Sequence, residues 1–292
     1  MYRILVVGGG YVGSAVVAYF RSKNQKVWVT TRSNEKAKQF ELLGAQPIVC
    51  DLTKPQTLSA VPDVQFVVIA VAPDSRDPEN YRKVYIEGAG NLLSRLKQNP
   101  IAPFVVYISS TGVFPDVAGE WVDENMQLKP DSERSGILLQ AEEQVLKSGL
   151  PAVIFRLGGI YGPGRNQIQN LKSGKWPESS EDEYVNLIHL DDVVGGVMAL
   201  FKHAEAGQVY IGADDEPAKR SELLAWLSGQ LGIENRAKFD IDGKISGKRC
   251  RNAKLKSLGF QFKFPSFKKG YESLIGDGPA GAGLRAKKPV ND

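Results

Sequence analysis

The chain has 292 residues, 42% apolar and 24% charged, with a formal net charge of +4. That length buries a large core as one domain or two joined lobes, and so small a charge makes no case for nucleic acid. Two cysteines (Cys50, Cys250) and two histidines (His189, His203) exclude a disulfide framework and give no metal-ligand cluster, and no apolar run reaches the ~20 residues of a membrane span. Met1 leads straight into a strand-like segment rather than a signal peptide, so a cytosolic, reduced protein without a membrane partner is the expectation.

Residues 4–7 (ILVV) read as a strand buried on both faces, and Val12, Ala15, Val16, Ala18 and Tyr19 follow at helical spacing. Between them lies Gly8-Gly9-Gly10-Tyr11-Val12-Gly13, a G-x-G-x-x-G in strand–turn–helix context. Gly8 permits the tight turn, Gly10 admits a pyrophosphate to the backbone, and Gly13 lets the helix lie close to the strand. Strands are predicted next at 26–31 and 46–50, around a helix over 34–43 closed by Gly44. A fourth strand at 65–71 precedes a long helix over 78–98, and a fifth covers 104–109. A helix over 131–148, closed at Gly149, leads to an apolar strand at 152–157.

Strands alternating with helices at this pitch predict an α/β fold, a Rossmann-type doubly wound parallel sheet, with chemistry beyond the carboxyl ends of the strands. Residues 1–157 form the expected nucleotide-binding domain. Residues 158–275 are less regular, with helices over 191–202 and 219–229 and a short strand at 208–211, and read as a smaller substrate lobe interleaved with the main fold. Residues 276–292 carry no periodic apolar pattern and read as a mobile tail.

A nucleotide fold that prefers NAD usually has an acid about 20 residues past the glycines, at the end of the second strand. Here the stretch is Thr30-Thr31-Arg32-Ser33. A guanidinium and a hydroxyl without an acid suit the 2′-phosphate of NADP, with NAD the second candidate and a solvated Arg32 the bland alternative. Thr31, Arg32 and Ser33 are thus expected cofactor contacts. Asp51 and Leu52 would border the adenine, and Ala70, Val71 and Ala72 would line the pocket after the fourth strand.

Further along stand YISSTGVFPD at 107–116, GEWVDE at 119–124, RLGGIYGPGR at 156–165 and VNLIHLDDV at 185–193. With GGGYVG, and in this order, they resemble the extended short-chain dehydrogenase/reductase family in its NAD(P)-dependent epimerase/dehydratase branch, over roughly residues 3 to 275. The resemblance implies a hydride-transferring site with a Ser or Thr after the fifth strand and a Tyr-x-x-x-Lys on the next helix. It puts the serine role on Ser110, with Thr111 beside it; a simple turn start is the alternative. Tyr11, Val12 and Ser109 complete the expected cofactor contacts.

The family pattern breaks on that helix. Aligning residues 129–143 (KPDSERSGILLQAEE) by Ala141-Glu142 puts Arg134 at the tyrosine position and Leu138 at the lysine position. No Tyr-x-x-x-Lys occurs between Ser110 and Arg156. Leu138 most simply packs in the core, while Arg134 either binds a substrate phosphate or carboxylate or stays on the surface. Tyr161 is the substitute proton donor to weigh, with Arg165 as the nearby charge that would tune it and a further candidate for substrate binding; lining the pocket is the alternative. His189 precedes Asp191-Asp192, which read as a helix cap. Three functions stand: an NADP-dependent oxidoreductase or epimerase acting on a carbonyl, secondary alcohol or nucleotide-sugar substrate, a non-catalytic NADP(H)-sensing protein, or a scaffold that keeps the fold without a nucleotide. In a scaffold, Gly8, Gly10, Gly13 and Arg32 together would have no physical reason. Dimerisation through the long helices is a family habit.

Overall fold

A computed structural model describes residues 1–75, 77–176, 181–239 and 244–276. The first strand, β1 (Arg3–Val7), explains the layering: Ile4 and Val6 pack into one core, Leu5 and Val7 into the other. A pleated strand sends alternate side chains to opposite faces, so an unbroken apolar run needs a helical layer on each side. On the first face lies α1 (Tyr11–Ser22), with Val12, Val16, Val17 and Phe20 buried.

The chain continues through β2 (Lys26–Thr31), α2 (Asn34–Leu42), β3 (Gln46–Val49) and β4 (Phe66–Ile69). Next come α3 (Pro78–Arg82), α4 (Ala89–Leu96), β5 (Phe104–Ser110), β6 (Trp121–Val122), α5 (Glu133–Leu146) and β7 (Ala152–Leu157). α4 and α5 cover the second face through Leu92, Leu93, Leu96, Ala141 and Val145. The helix predicted over 78–98 is interrupted by a π turn at Lys83–Gly88 joining α3 to α4. A π turn inserts an extra residue into a helix. Gln144 on α5 donates to the Ile86 carbonyl there at 3.1 Å, and Tyr85 and Ile86 turn toward the core.

Beyond β7 come β8 (Gly159–Tyr161), α6 (Ile168–Lys172), β9 (Asp182–Val185), β10 (Leu187–His189), α7 (Leu190–His203) and β11 (Val209–Gly212). They are followed by β12 (Ala218–Lys219), α8 (Arg220–Leu231), β13 (Ile245–Gly247), β14 (Arg249–Cys250), α9 (Ala253–Ser257) and α10 (Phe267–Gly276). The main sheet has seven strands in the order β11-β7-β5-β4-β1-β2-β3, all parallel. α7 and β11 therefore return to the main fold, with Val193, Val197 and Leu200 sharing the core of α1. A separate core gathers Tyr161, Ile168, Leu171, Leu223, Leu224, Leu227, Phe267 and Tyr271.

The start of α7 differs from expectation. Its N-cap is His189, whose Nδ1 accepts the Asp191 backbone N–H at 3.1 Å. Asp192 is buried and accepts the backbone N–H groups of Lys263 and Phe264 at 2.6 and 3.0 Å, tying the C-terminal segment to the start of α7 instead of capping the helix. Of the mobile tail expected over 276–292, Gly276 is the last residue of α10 and the rest lies outside the described residues.

Candidate nucleotide-binding and active site

The strand order reverses at β1: the chain steps outward through β2 and β3, then crosses back to β4 on the other side. That reversal opens a crevice at the carboxyl ends of β1 and β4, where open α/β sheets bind ligands. Gly8 turns the chain there at φ 98°, and a Cβ on it would stand 2.8 Å from the Ala70 carbonyl oxygen. Gly8 N–H donates to Thr30 Oγ1 at 2.9 Å and Gly9 N–H to the Thr30 carbonyl at 3.0 Å, so β2 pins the loop. A Cβ on Gly13 would lie 1.9 Å from the Gly8 carbonyl oxygen, which only glycine allows.

Gly10 differs from both. It is the N-cap of α1, offers no side chain to the helix, and has nothing within 4 Å of where its Cβ would be. α1 has no acidic residue in its first turn, so its free N–H groups and the positive end of its dipole face open space. That cradle fits a pyrophosphate. Tyr11 borders it: its hydroxyl donates to the Pro163 carbonyl at 3.1 Å, and the Arg165 guanidinium stands 5.5 Å from its ring centroid. Burial pushes the Tyr11 phenol up to about 12. Val12 is buried in the core beneath.

At the end of β2, Thr31 is buried and Ser33 caps α2, its Oγ accepting Lys36 N–H at 3.2 Å. Arg32 projects to solvent and is not free. Its Nη2 donates to both carboxylate oxygens of Asp74 at 2.7 and 2.8 Å. The hydrogen bond from Arg32 holds the Asp74 carboxyl below its usual range, and the same bond raises Arg32. Asp74 was absent from the sequence reading; it comes from the loop after β4. Asp51 Oδ1 accepts Thr53 N–H and Oγ1 at 3.0 and 2.8 Å, and Asn91 Nδ2 donates to the Leu52 carbonyl at 2.9 Å. Ala70 and Val71 back Gly8 and Ala72 is exposed beyond them, so these residues stand on the β4 side of the crevice.

At the end of β5 successive residues part. Ser109 donates to Glu142 Oε1 at 2.5 Å inside the α5 layer, so its hydroxyl is held there and only its backbone is left for the expected cofactor contact. Ser110 is partly exposed, with Oγ accepting Gly112 N–H at 3.0 Å and its own proton free to donate. Thr111 is buried beside it. On α5, Leu138 is buried against Val113, Phe114, Val122 and Ile211. Arg134 is exposed and makes no hydrogen bond or ion pair among the described residues.

Tyr161 is 3% exposed, stacks on Tyr271 with centroids 4.8 Å apart, and stands edge-on to His189 at 5.3 Å. A Cβ on Gly270 would fall 1.9 Å from its hydroxyl, and burial pushes the phenol far above its usual range. Arg165 lies over Tyr11 instead. This packing sets the Tyr161 hydroxyl in a core with Tyr271 and His189 and makes a lining role the simpler one. Arg249 and Arg251 each stand 4.9 Å from the Trp121 ring centroid. Among the described residues no group of three or more His, Cys, Asp or Glu is disposed to hold a metal, and no helix is long and apolar enough to cross a membrane.

A glycine turn at the switch point of a parallel doubly wound sheet marks a Rossmann-type α/β protein. The sequence model of the NAD dependent epimerase/dehydratase family matches residues 4–212, and the chain belongs to that family. Protein YeeZ of Escherichia coli (strain K12) is 28% identical over 280 residues, 91% of this chain and 97% of the relative. A 4-hydroxy-2-methyl-3-oxo-4-farnesyl-3,4-dihydroquinoline-1-oxide ketoreductase of Stigmatella aurantiaca is 25% identical, over 80% of this chain and 74% of the relative. Among solved structures, the DesIV dTDP-glucose 4,6-dehydratase of Streptomyces venezuelae, with NAD and TYD bound, superposes with a TM-score of 0.81 at 19% identity, covering 94% of this chain and 95% of that one.

Proposed function

We propose that this protein is an NADP-dependent oxidoreductase or epimerase acting on a carbonyl or secondary alcohol, nucleotide-linked sugars included. The observation that carries the cofactor reading is Arg32, a guanidinium at the end of β2 where an NAD-preferring fold has an acid. The ketoreductase and the dTDP-glucose dehydratase support the substrate class by similarity.

When bound, the cofactor would supply or accept hydride. Gly8, Gly10, Gly13 and the first turn of α1 would hold its pyrophosphate, and Arg32 its 2′-phosphate. Ser110 Oγ would donate to the substrate oxygen and steady the charge that develops there. Arg134, exposed and unpaired two turns from Glu142 on α5, suits a phosphate or carboxylate of the substrate. Residues 158–275 would supply the wall that selects the substrate. With Leu138 in a hydrophobic cluster and Tyr161 buried, solvent is the proton source.

Calorimetric titration tests the cofactor assignment. Arg32→Ala is expected to weaken NADP+ by about 10- to 100-fold, as loss of a charged hydrogen bond does, with NAD+ unchanged. Equal losses for both nucleotides would end the NADP assignment. For catalysis, Ser110→Ala is expected to lower kcat by about 100-fold in an NADPH-absorbance assay across a carbonyl panel, with NADPH affinity retained. Leu138 at the aligned lysine position favours one competing reading, an NADP(H) sensor, for which nucleotide binding without turnover of any panel member would speak.

A further inference from the structure

Arg32 and Asp74 sit on opposite sides of the glycine loop. β2, which ends before Arg32, and β4, which ends before Asp74, are the two neighbours of β1 in the sheet. Neighbouring strands lie about 4.8 Å apart, so the pair reaches across roughly two strand spacings, over the crevice that begins at Gly8. Both oxygens of Asp74 are engaged by one guanidinium nitrogen, at 2.7 and 2.8 Å. The side chains are nonetheless 60% and 69% exposed, so water and a ligand reach the contact. Asp51, which acts on Arg32, and Lys36 of α2, which acts on Asp74, are the other charges that face the pair.

We propose that Asp74 sets nucleotide selectivity by competing with the 2′-phosphate for Arg32. This rests on the assignment of Arg32 to that phosphate. In the free protein the carboxylate occupies the guanidinium that NADP would use. A 2′-phosphate brings more negative charge and three acceptor oxygens, so it can take Arg32, but it then leaves Asp74 unpaired beside an anion. A 2′-hydroxyl demands no such exchange. Asp74 therefore narrows the preference for NADP that Arg32 confers, and lets NAD compete. Because the pair is exposed, the exchange is easy: surface ion pairs of this kind are weak.

The test uses the adenosine half alone. Adenosine 2′,5′-bisphosphate and adenosine 5′-monophosphate are titrated into the wild type, Asp74→Asn, Arg32→Ala and the double variant. Thermal melting checks that each is folded. Asp74→Asn is expected to tighten the bisphosphate about five-fold and leave the monophosphate unchanged, and to have no effect in the Arg32→Ala background. If Arg32→Ala weakens the bisphosphate selectively but Asp74→Asn does not tighten it, the competition is refuted and the Arg32 assignment stands. If Asp74→Asn weakens the monophosphate, Asp74 is a ribose ligand and the competition is again refuted. If Arg32→Ala leaves the ratio of the two affinities unchanged, the Arg32 assignment fails and the competition falls with it.

Discussion

Arg156→Met is expected to lower the unfolding free energy by about 3–5 kcal/mol, read as a drop in the urea midpoint at unchanged slope. Arg156 on β7 and Glu142 on α5 are 7% and 3% exposed at the side chain. The Arg156 Nε donates to both Glu142 oxygens at 3.1 and 3.2 Å, and Nη2 donates to Oε2 at 2.7 Å. Ser109 on β5 adds its hydroxyl at 2.5 Å, and the guanidinium stands 5.1 Å from the Phe114 ring centroid. Removing the arginine leaves a carboxylate out of water with one hydroxyl to satisfy it, and uncompensated buried charge is what makes such a change severe. The double variant Arg156→Met/Glu142→Leu is expected to recover most of the loss, because a well-packed apolar pair can replace a buried ion pair at little cost. A single variant no less stable than the double would show that the charge is solvated after all. The network also has a bearing on the site: it joins α5 to β5 one residue before Ser110, so loosening it would also disturb the hydroxyl assigned to the substrate oxygen.

The parts of this architecture written in local pattern were legible. A buried parallel strand has to be apolar on both faces, so residues 4–7 announced β1, and the glycines after it announced a turn into a helix. The helix at 191–202 and the strand at 208–211 were legible by the same periods as α7 and β11, but period alone does not say which sheet a strand joins, and β11 pairs with β7 in the main one. What escaped was whatever depends on two distant segments meeting. Asp74 lies in a polar loop without periodicity, and only the sheet order brings it to Arg32, 42 residues away in sequence. Tyr161 follows a strand in a motif that looks alike whether its ring faces the crevice or a second core; the ring contact with Tyr271 and the fit against Gly270 decide that, and neither is local. Ser109 was within reach of the sequence, since adjacent strand residues face opposite ways and Ser109 and Ser110 could not both line one pocket from the same strand face. His189 displaced the aspartates as helix cap because an imidazole nitrogen can accept a backbone N–H, a role usually left to Asp, Asn, Ser and Thr.

Two glycines of one motif should separate folding from binding. Gly10→Ala is expected to leave stability within about 0.5 kcal/mol of wild type, since Gly10 has φ −84° and open space where the methyl would go. The same methyl would occupy the approach to the first turn of α1, so NADP+ affinity should fall by at least about 10-fold, because the phosphate loses close contact with N–H groups and helix dipole together. Gly13→Ala should do both kinds of damage. Its Cβ would stand 1.9 Å from a backbone oxygen of Gly8, so α1 must lift off β1; overpacking of this kind costs about 1–3 kcal/mol, and the cradle goes with the helix. Melting curves and nucleotide titrations on the two variants distinguish the causes. A Gly10→Ala protein that melts like the wild type and still binds NADP+ equally well would mean that no phosphate rests on this turn. The open space at Gly10 would then need another explanation, whereas Gly8 and Gly13 would keep theirs, because packing alone requires them.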